Sequence, residues 1–160
     1  MTTTIVNGNL LDTTAPVIIH QTNCCKGFGS GVAKAIRDKW PIVAEKHMLA
    51  CQVNEELGKP TSELLGKIQA VSVGEQKVVI NMYAQDRFGY DGARYTSYDA
   101  LDTCLRKVKE YCENHKFNRI ALPYKMSSVR GGADWDVVVA MVNAVFKDTN
   151  IEIEIRKYEE

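Results

Sequence analysis

The 160-residue chain balances 20 Lys and Arg against 20 Asp and Glu, and this zero formal net charge removes the general field that would draw it to nucleic acid or to an anionic membrane. An apolar fraction of 45% with 25% charged residues is that of an ordinary soluble globular protein with room for a real core, and no apolar run reaches the roughly twenty residues of a bilayer span. Five cysteines without C-x-x-C spacing fit reduced thiols in a cytoplasmic setting better than a disulfide framework, and the N-terminus lacks a signal-peptide pattern.

Residues 3–6 predict a first strand, closed by Asn7, Gly8 and Asn9, whose types tolerate positive φ in a turn; Leu10 and Leu11 then resume packing. Val17, Ile18 and Ile19 are too short a run for a buried helix and suit a strand covered on both faces, which ends in His20, Gln21, Thr22 and Asn23. Gly27, Gly29 and Gly31 alternate over five residues, Ser30 is placed to cap a helix, and Val32, Ala33, Ile36 and Trp40 fall at helical spacing before Pro41. Glycines let the backbone turn sharply and present its N–H groups, and a helix N-terminus adds the positive end of its dipole, so this stretch can cradle a phosphate. It can equally be a tight connection between strand and helix. It is neither GxGxxG nor a phosphate-binding loop with GK[ST], since Lys26 precedes the glycines.

A second helix is predicted from Pro41 to about Leu57, with Ala44, Met48 and Cys51 on its inner face and Gly58 at its end. His47 and Cys51 stand at i, i+4 on it, but two ligands are not a site, and no metal is expected. Strands follow over 67–73 and 77–83, the second carrying Val78, Val79 and Ile80, with a turn at 74–76. The irregular loop 84–97 reads as functional or as a surface excursion pinned by Tyr90 and Tyr95. Leu101, Leu105, Val108 and Cys112 line a helix over 98–115, and 119–123 is a strand leading into a second glycine-bearing turn. Asp134 caps a last helix with Val138, Met141, Val142 and Val145 inward, and the alternation from Ile151 to Ile155 predicts a half-exposed strand. The order β-β-α-α-β-β-α-β-α-β, without repeat or linker, gives one domain over 1–160. The fold class is α/β, a three-layer α/β/α sandwich around a mixed, mostly parallel sheet of about six strands. Ligands of such sheets lie outside the carboxyl ends of the strands, where both glycine-bearing loops gather.

The stretches VNGNLLD (6–12), IIHQTNCCKGFGSGVAKAIRDKWP (18–41), INMYAQDRFGYDGARYTSYDAL (80–101) and ALPYKMSSVRGGADWDVVVAMV (121–142) resemble the macrodomains, in order and over nearly the whole chain. They resemble in particular the compact branch with phage-type members, ADP-ribose-1''-phosphate phosphatases and terminal ADP-ribose glycohydrolases. The resemblance implies a monomer that binds ADP-ribose or a derivative, or an ADP-ribosylated protein, with no cofactor. It implies Gly8, Asn9 and Leu10 by the adenine, and Asn23 facing the distal ribose. The backbone of Gly27, Gly29, Ser30, Gly31, Val32 and Ala33 would line the diphosphate, with Lys26 as an added phosphate contact. Tyr83, Gln85 and the loop behind them would close the far side, and Ser127, Ser128, Val129, Arg130, Gly131 and Gly132 would take the other phosphate face.

For catalysis it implies His20, Asn23 and Asp134, with His20 protonating a leaving ribose oxygen and Asp134 positioning water. The structural alternatives are a hydrogen-bonded strand-end His20 and an ordinary helix cap at Asp134. Three departures bear on this. Asn9 stands where many macrodomains carry Asp, so it accepts from the adenine amino group without charge. Ser127, Ser128 and Val129 replace a G-x-G pattern, and valine resists positive φ, which implies a reshaped turn. The lysine of the covalent glycohydrolase mechanism has no match in 84–97, and its acidic partner falls at about Gly131. Two readings follow: a hydrolase acting on an ADP-ribose derivative, and a module that binds one without turnover.

Overall fold

The two apolar runs at 17–19 and 78–80 form neighbouring strands at the centre of a six-stranded sheet. The computed structural model describes residues 2–29, 31–74, 76–89 and 91–158, so the expected roles of Ser30, of Glu75 in its turn and of Tyr90 lie outside the described residues. Along the chain run β1 (Thr3–Asn7), β2 (Val17–Asn23), α1 (Gly31–Lys39), α2 (Pro41–Glu56), β3 (Ile68–Ser72), β4 (Val78–Gln85), α3 (Tyr98–His115), β5 (Arg119–Pro123), α4 (Trp135–Phe146) and β6 (Glu152–Lys157). The spatial order is β1-β6-β5-β2-β4-β3. Only β3 runs antiparallel to its neighbour, β4, and it sits at an edge.

Strand alternation explains the layers. Val17, Ile19, Val78, Ile80 and Met82 turn to one face and meet Leu101, Leu105 and Val108 of α3 and Val138 and Val142 of α4. Ile18 and Val79 turn to the other and meet Ile36 of α1 and Val43 and Ala44 of α2. Both central strands are therefore apolar on successive residues, as a sheet covered on both sides requires. The long helix α3 starts where Ser97 accepts a hydrogen bond from the Ala100 N–H and ends at Lys116 in the left-handed conformation (φ 59°).

Two helix faces differ from expectation. The inner face of α2 holds Val43, Ala44, His47, Cys51 and Asn54, whereas Met48 is half exposed. The reason is polar satisfaction: His47 bonds the Tyr83 hydroxyl at 3.0 Å and the Cys25 carbonyl at 2.8 Å, and Asn54 donates to the Pro60 carbonyl at 2.9 Å. In α1 only Ile36 is fully buried, and Val32 is exposed at the first turn. Among the described residues no helix is long and apolar enough to cross a membrane.

Ile80 has no exposed surface and is packed between β2 and α3. Ile80→Ala is expected to cost about 2–5 kcal/mol, read as a lower urea midpoint at unchanged slope. A loss below about 1 kcal/mol would contradict the two-sided covering of the sheet.

Candidate ligand-binding site

Because β2, β4 and β5 run parallel, their carboxyl ends meet at one rim, and the loops that leave them enclose a cleft of about 580 Å³. One wall is the end of β2 and the 27–33 segment; the other is 123–131, with Gln85, Phe88 and Gly89 at the far side. The β2–β4 register slips between Thr22 and Asn23, and such a bulge re-aims the side chain beyond it. Asn23 then shapes the loop, its Oδ1 accepting from the Cys25 N–H at 3.0 Å and its Nδ2 donating to the Gly27 carbonyl at 3.1 Å.

Phe28 anchors that loop from below. It is buried, edge-on to the His20 ring at 5.6 Å and tilted against His47 at 5.3 Å. A Cβ on Gly27 would lie 2.8 Å from the Phe88 ring, so only glycine lets the two lips approach. The N–H groups of Gly27, Phe28 and Gly29 donate to no atom among the described residues. They lead directly into the N-terminus of α1, whose first-turn N–H groups also lack helix partners.

The opposite wall is tied down beneath the floor. Gln21 donates to Gln85 Oε1 at 2.7 Å and to Thr96 Oγ1 at 2.8 Å, and its Oε1 accepts from Ser127 Oγ at 2.6 Å. Thr96 Oγ1 in turn donates to the Ser127 carbonyl at 3.1 Å, and the Gly131 carbonyl accepts from the N–H groups of Tyr95 and Thr96. Ser127 (φ 70°) and Lys125 (φ 59°) take the left-handed conformation there, and such residues persist only where neighbours hold them. Val129 does not adopt it and stands 75% exposed; serine takes the strained place. A Cβ on Gly131 would fall 2.3 Å from Thr96 Oγ1 and 2.5 Å from the Ser127 carbonyl oxygen.

His20 lines the cleft and is buried but for a small remnant of its surface, with Nε2 at 2.5 Å from Asn81 Oδ1. Burial pushes its pKa down to about 4, the Asn81 bond opposing only part of this, so the ring is neutral at neutral pH. The ring thus stands, in the free protein, without the imidazolium proton that the expected general-acid role of His20 calls for. Burial likewise pushes the Cys24 thiol up to about 12 and Cys51 up to about 11, which removes them as thiolate nucleophiles. Among the described residues no three His, Cys, Asp or Glu side chains gather as a metal site, and His47 with Cys51 faces the Cys24 and Cys25 carbonyls instead.

A family model for the Macro domain matches residues 19–142. The chain belongs to the macro domain family. Among solved structures it is similar to a Bacteroides thetaiotaomicron protein of unknown function, with a TM-score of 0.84 and 23% identity over 98% of each chain. It is similar to the macrodomain of Thermus aquaticus DarG, with a TM-score of 0.77 and 19% identity over 99% of this chain and 98% of that one. It is also similar to Thermosipho africanus DarTG in complex with ADP-ribose, with a TM-score of 0.77 and 15% identity over 98% of this chain and 41% of that one. At these identities the likeness is one of fold. A sequence search against curated proteins gives no match.

In this macrodomain the cleft gathers His20, Asn23, Gly27, Gly29, Gly31, Val32, Ala33, Gln85, Ser127, Val129, Arg130 and Gly131 of the expected residues. The others stand elsewhere for local reasons. Gly8 donates its N–H to the Lys157 carbonyl, Asn9 caps a short 3-10 turn through the Leu11 N–H, and Leu10 is buried in that turn. Lys26 turns away to pair with Glu55 at 3.1 Å in a second depression behind the loop. Tyr83 faces α2 because strand alternation points it opposite to the α3 face. Ser128 bonds the Met126 carbonyl, and Gly132 backs onto 93–94. Asp134 is an exposed N-cap, accepting from the Asp136 N–H at 2.9 Å, and is not among the residues lining the cleft. The sequence reading missed Gln21, Thr22, Pro123, Tyr124, Lys125 and Met126 as lining residues; for Gln21 and Thr22 the signal was their place at the carboxyl end of β2.

The neutral His20 sets a pH dependence. With its folded pKa below the ordinary 6.5, its contribution is fully present above that value and is lost as pH falls toward about 4, because the unfolded chain takes the proton first. The span corresponds to on the order of 3 kcal/mol, and His47, also pushed down by burial, acts in the same direction. Urea unfolding of the wild type is expected to weaken more between pH 7 and pH 4.5 than that of His20→Gln; equal slopes would contradict the neutral buried ring.

Proposed function

We propose that this macrodomain binds ADP-ribose or a close derivative, with the diphosphate held by main-chain amides between the 27–33 segment and the 125–131 turn. One observation carries the reading: the N–H groups of Gly27, Phe28 and Gly29 have no acceptor among the described residues and lead toward the N-terminus of α1 within a cleft sized for a nucleotide. A protein without net charge holds a diphosphate in this way, through oriented dipoles and not through a field of lysines. The resemblance of the sequence motifs and the ADP-ribose complex of the Thermosipho africanus DarTG support the choice of ligand.

Calorimetry is expected to give saturable binding of ADP-ribose. Gly29→Glu should weaken it by more than about tenfold, since burying a carboxylate against phosphate is unfavourable. The position tolerates a side chain, its nearest atom being Arg37 Nη1 at 3.9 Å, so the variant should keep the wild-type urea midpoint. Unchanged affinity in the folded variant would refute the diphosphate placement.

Hydrolysis of a 1''-phosphate or an ADP-ribosyl ester is the second reading, favoured by Asn23, whose amide stands at the re-aimed strand end against the uncommitted loop. Phosphate release from ADP-ribose-1''-phosphate is then expected from wild type and from Asp134→Ala, which loses only a helix cap of about 1 kcal/mol. It should be abolished in Asn23→Ala. No release from the wild type would leave binding alone.

A further inference from the structure

A side-chain nitrogen at the cleft, His20 Nδ1, has no partner among the described residues, and the hydrogen bonds behind it fix its chemistry. Gln69 Nε2 donates to the Lys46 carbonyl at 2.8 Å, which leaves Gln69 Oε1 to accept from Asn81 Nδ2 at 3.0 Å. The same Nδ2 faces the Val43 carbonyl at 3.5 Å. Backbone carbonyls only accept, so both amides are oriented by their partners and cannot be flipped without loss. Asn81 Oδ1 must therefore face His20, and His20 Nε2 must carry the ring proton that it donates there. Nδ1 is then a bare lone pair.

Nothing among the described residues donates to that nitrogen. His20 is 2% exposed and lines the cleft, yet no fully shut-off side-chain nitrogen or oxygen among the described residues lacks a partner, so the residual exposure of Nδ1 opens on the cleft. Phe28 stands edge-on to the ring, at 87°, and keeps it from turning.

We propose that His20 is a specificity-determining acceptor, whose Nδ1 takes a hydrogen bond from a ribose hydroxyl of the bound ligand, with Asn81 and Gln69 as positioning residues that hold the tautomer. The inference rests on the ADP-ribose reading above. A neutral imidazole lone pair attracts an O–H group and repels a phosphoryl oxygen, so this subsite sorts a free sugar hydroxyl from a phosphorylated one.

Two substitutions separate this role from a structural one. An asparagine amide reaches as far from Cα as Nδ1 does, and a glutamine amide as far as Nε2. His20→Gln keeps the donor to Asn81 and removes the acceptor, whereas His20→Asn keeps an acceptor and gives up the Asn81 bond. Calorimetry with ADP-ribose on the full chain is expected to show His20→Gln weakened by about tenfold, the loss of one hydrogen bond. His20→Asn should bind several-fold more tightly than His20→Gln despite a lower urea midpoint. The reverse order, or equal affinities, overturns the acceptor role. Nitrogen-15 spectra of the histidine rings supply a second readout: the free protein should show His20 as the Nε2–H tautomer, with Nδ1 shifting when ADP-ribose is added, and an Nδ1–H tautomer overturns the inference. A wild type that does not bind ADP-ribose overturns the functional reading and this inference together; a wild type that binds while His20→Gln binds equally well overturns the inference alone.

Discussion

Parallel pairing of β2 with both β4 and β5 is the constraint on which the rest depends, because it delivers three strand ends to one rim of the sheet. Each exit then contributes something different: β2 the His20–Asn23 run and the glycine loop, β4 Gln85 and Phe88, β5 the strained 124–131 turn. The single antiparallel neighbour, β3, lies at the sheet edge, where it does not disturb that convergence. The two faces of the central strand also divide the labour. His20 looks toward Phe28 and the α1–α2 layer, while Gln21, one residue on, looks toward Ser127 and Thr96.

That division makes the floor of the cleft a polar truss. Gln21 spends both amide hydrogens and its carbonyl on three different segments, so the wall formed by 127–131 cannot shift without breaking bonds to β2 and to the loop before α3. Left-handed Ser127 shows why such bracing is present, since a non-glycine residue in that conformation reverts unless its surroundings over-determine it. On the other side the glycine loop is shaped by the Asn23 amide and by Phe28, which leaves the N–H groups of Gly27, Phe28 and Gly29 without an acceptor among the described residues. Rigid support beneath and open donors above is the arrangement that pre-organised recognition asks for.

Much of this was legible beforehand, and the reasons for the rest are local. The runs 17–19 and 78–80 and the helix 98–115 are long or apolar enough that periodicity decides them, and the strand and helix order followed correctly. Met48 and His47 were exchanged because hydropathy favours methionine inside, and it does not register that a histidine becomes burial-compatible once Tyr83 and the Cys25 carbonyl satisfy it. Tyr83 is taken up by His47 of α2, on the face opposite Met82, and Lys26 by Glu55, partners that no spacing reveals, whereas the cap at Asp134 was already legible beside its expected role. That Val129 would avoid the left-handed conformation could be read from its branching; that Ser127 would adopt it could not, because the residue that holds it, Gln21, lies more than a hundred residues away in sequence.

The cancelled charges have a kinetic side. A pocket that holds an anion by main-chain dipoles exerts little pull beyond the roughly 8–10 Å over which salt screens a charge, and this chain adds no surplus of positive side chains to extend that reach. Encounter then proceeds at the unsteered pace of ordinary diffusion, and ionic strength has small leverage over it. On the proposed reading, discrimination between nucleotides is left to how long each stays once inside.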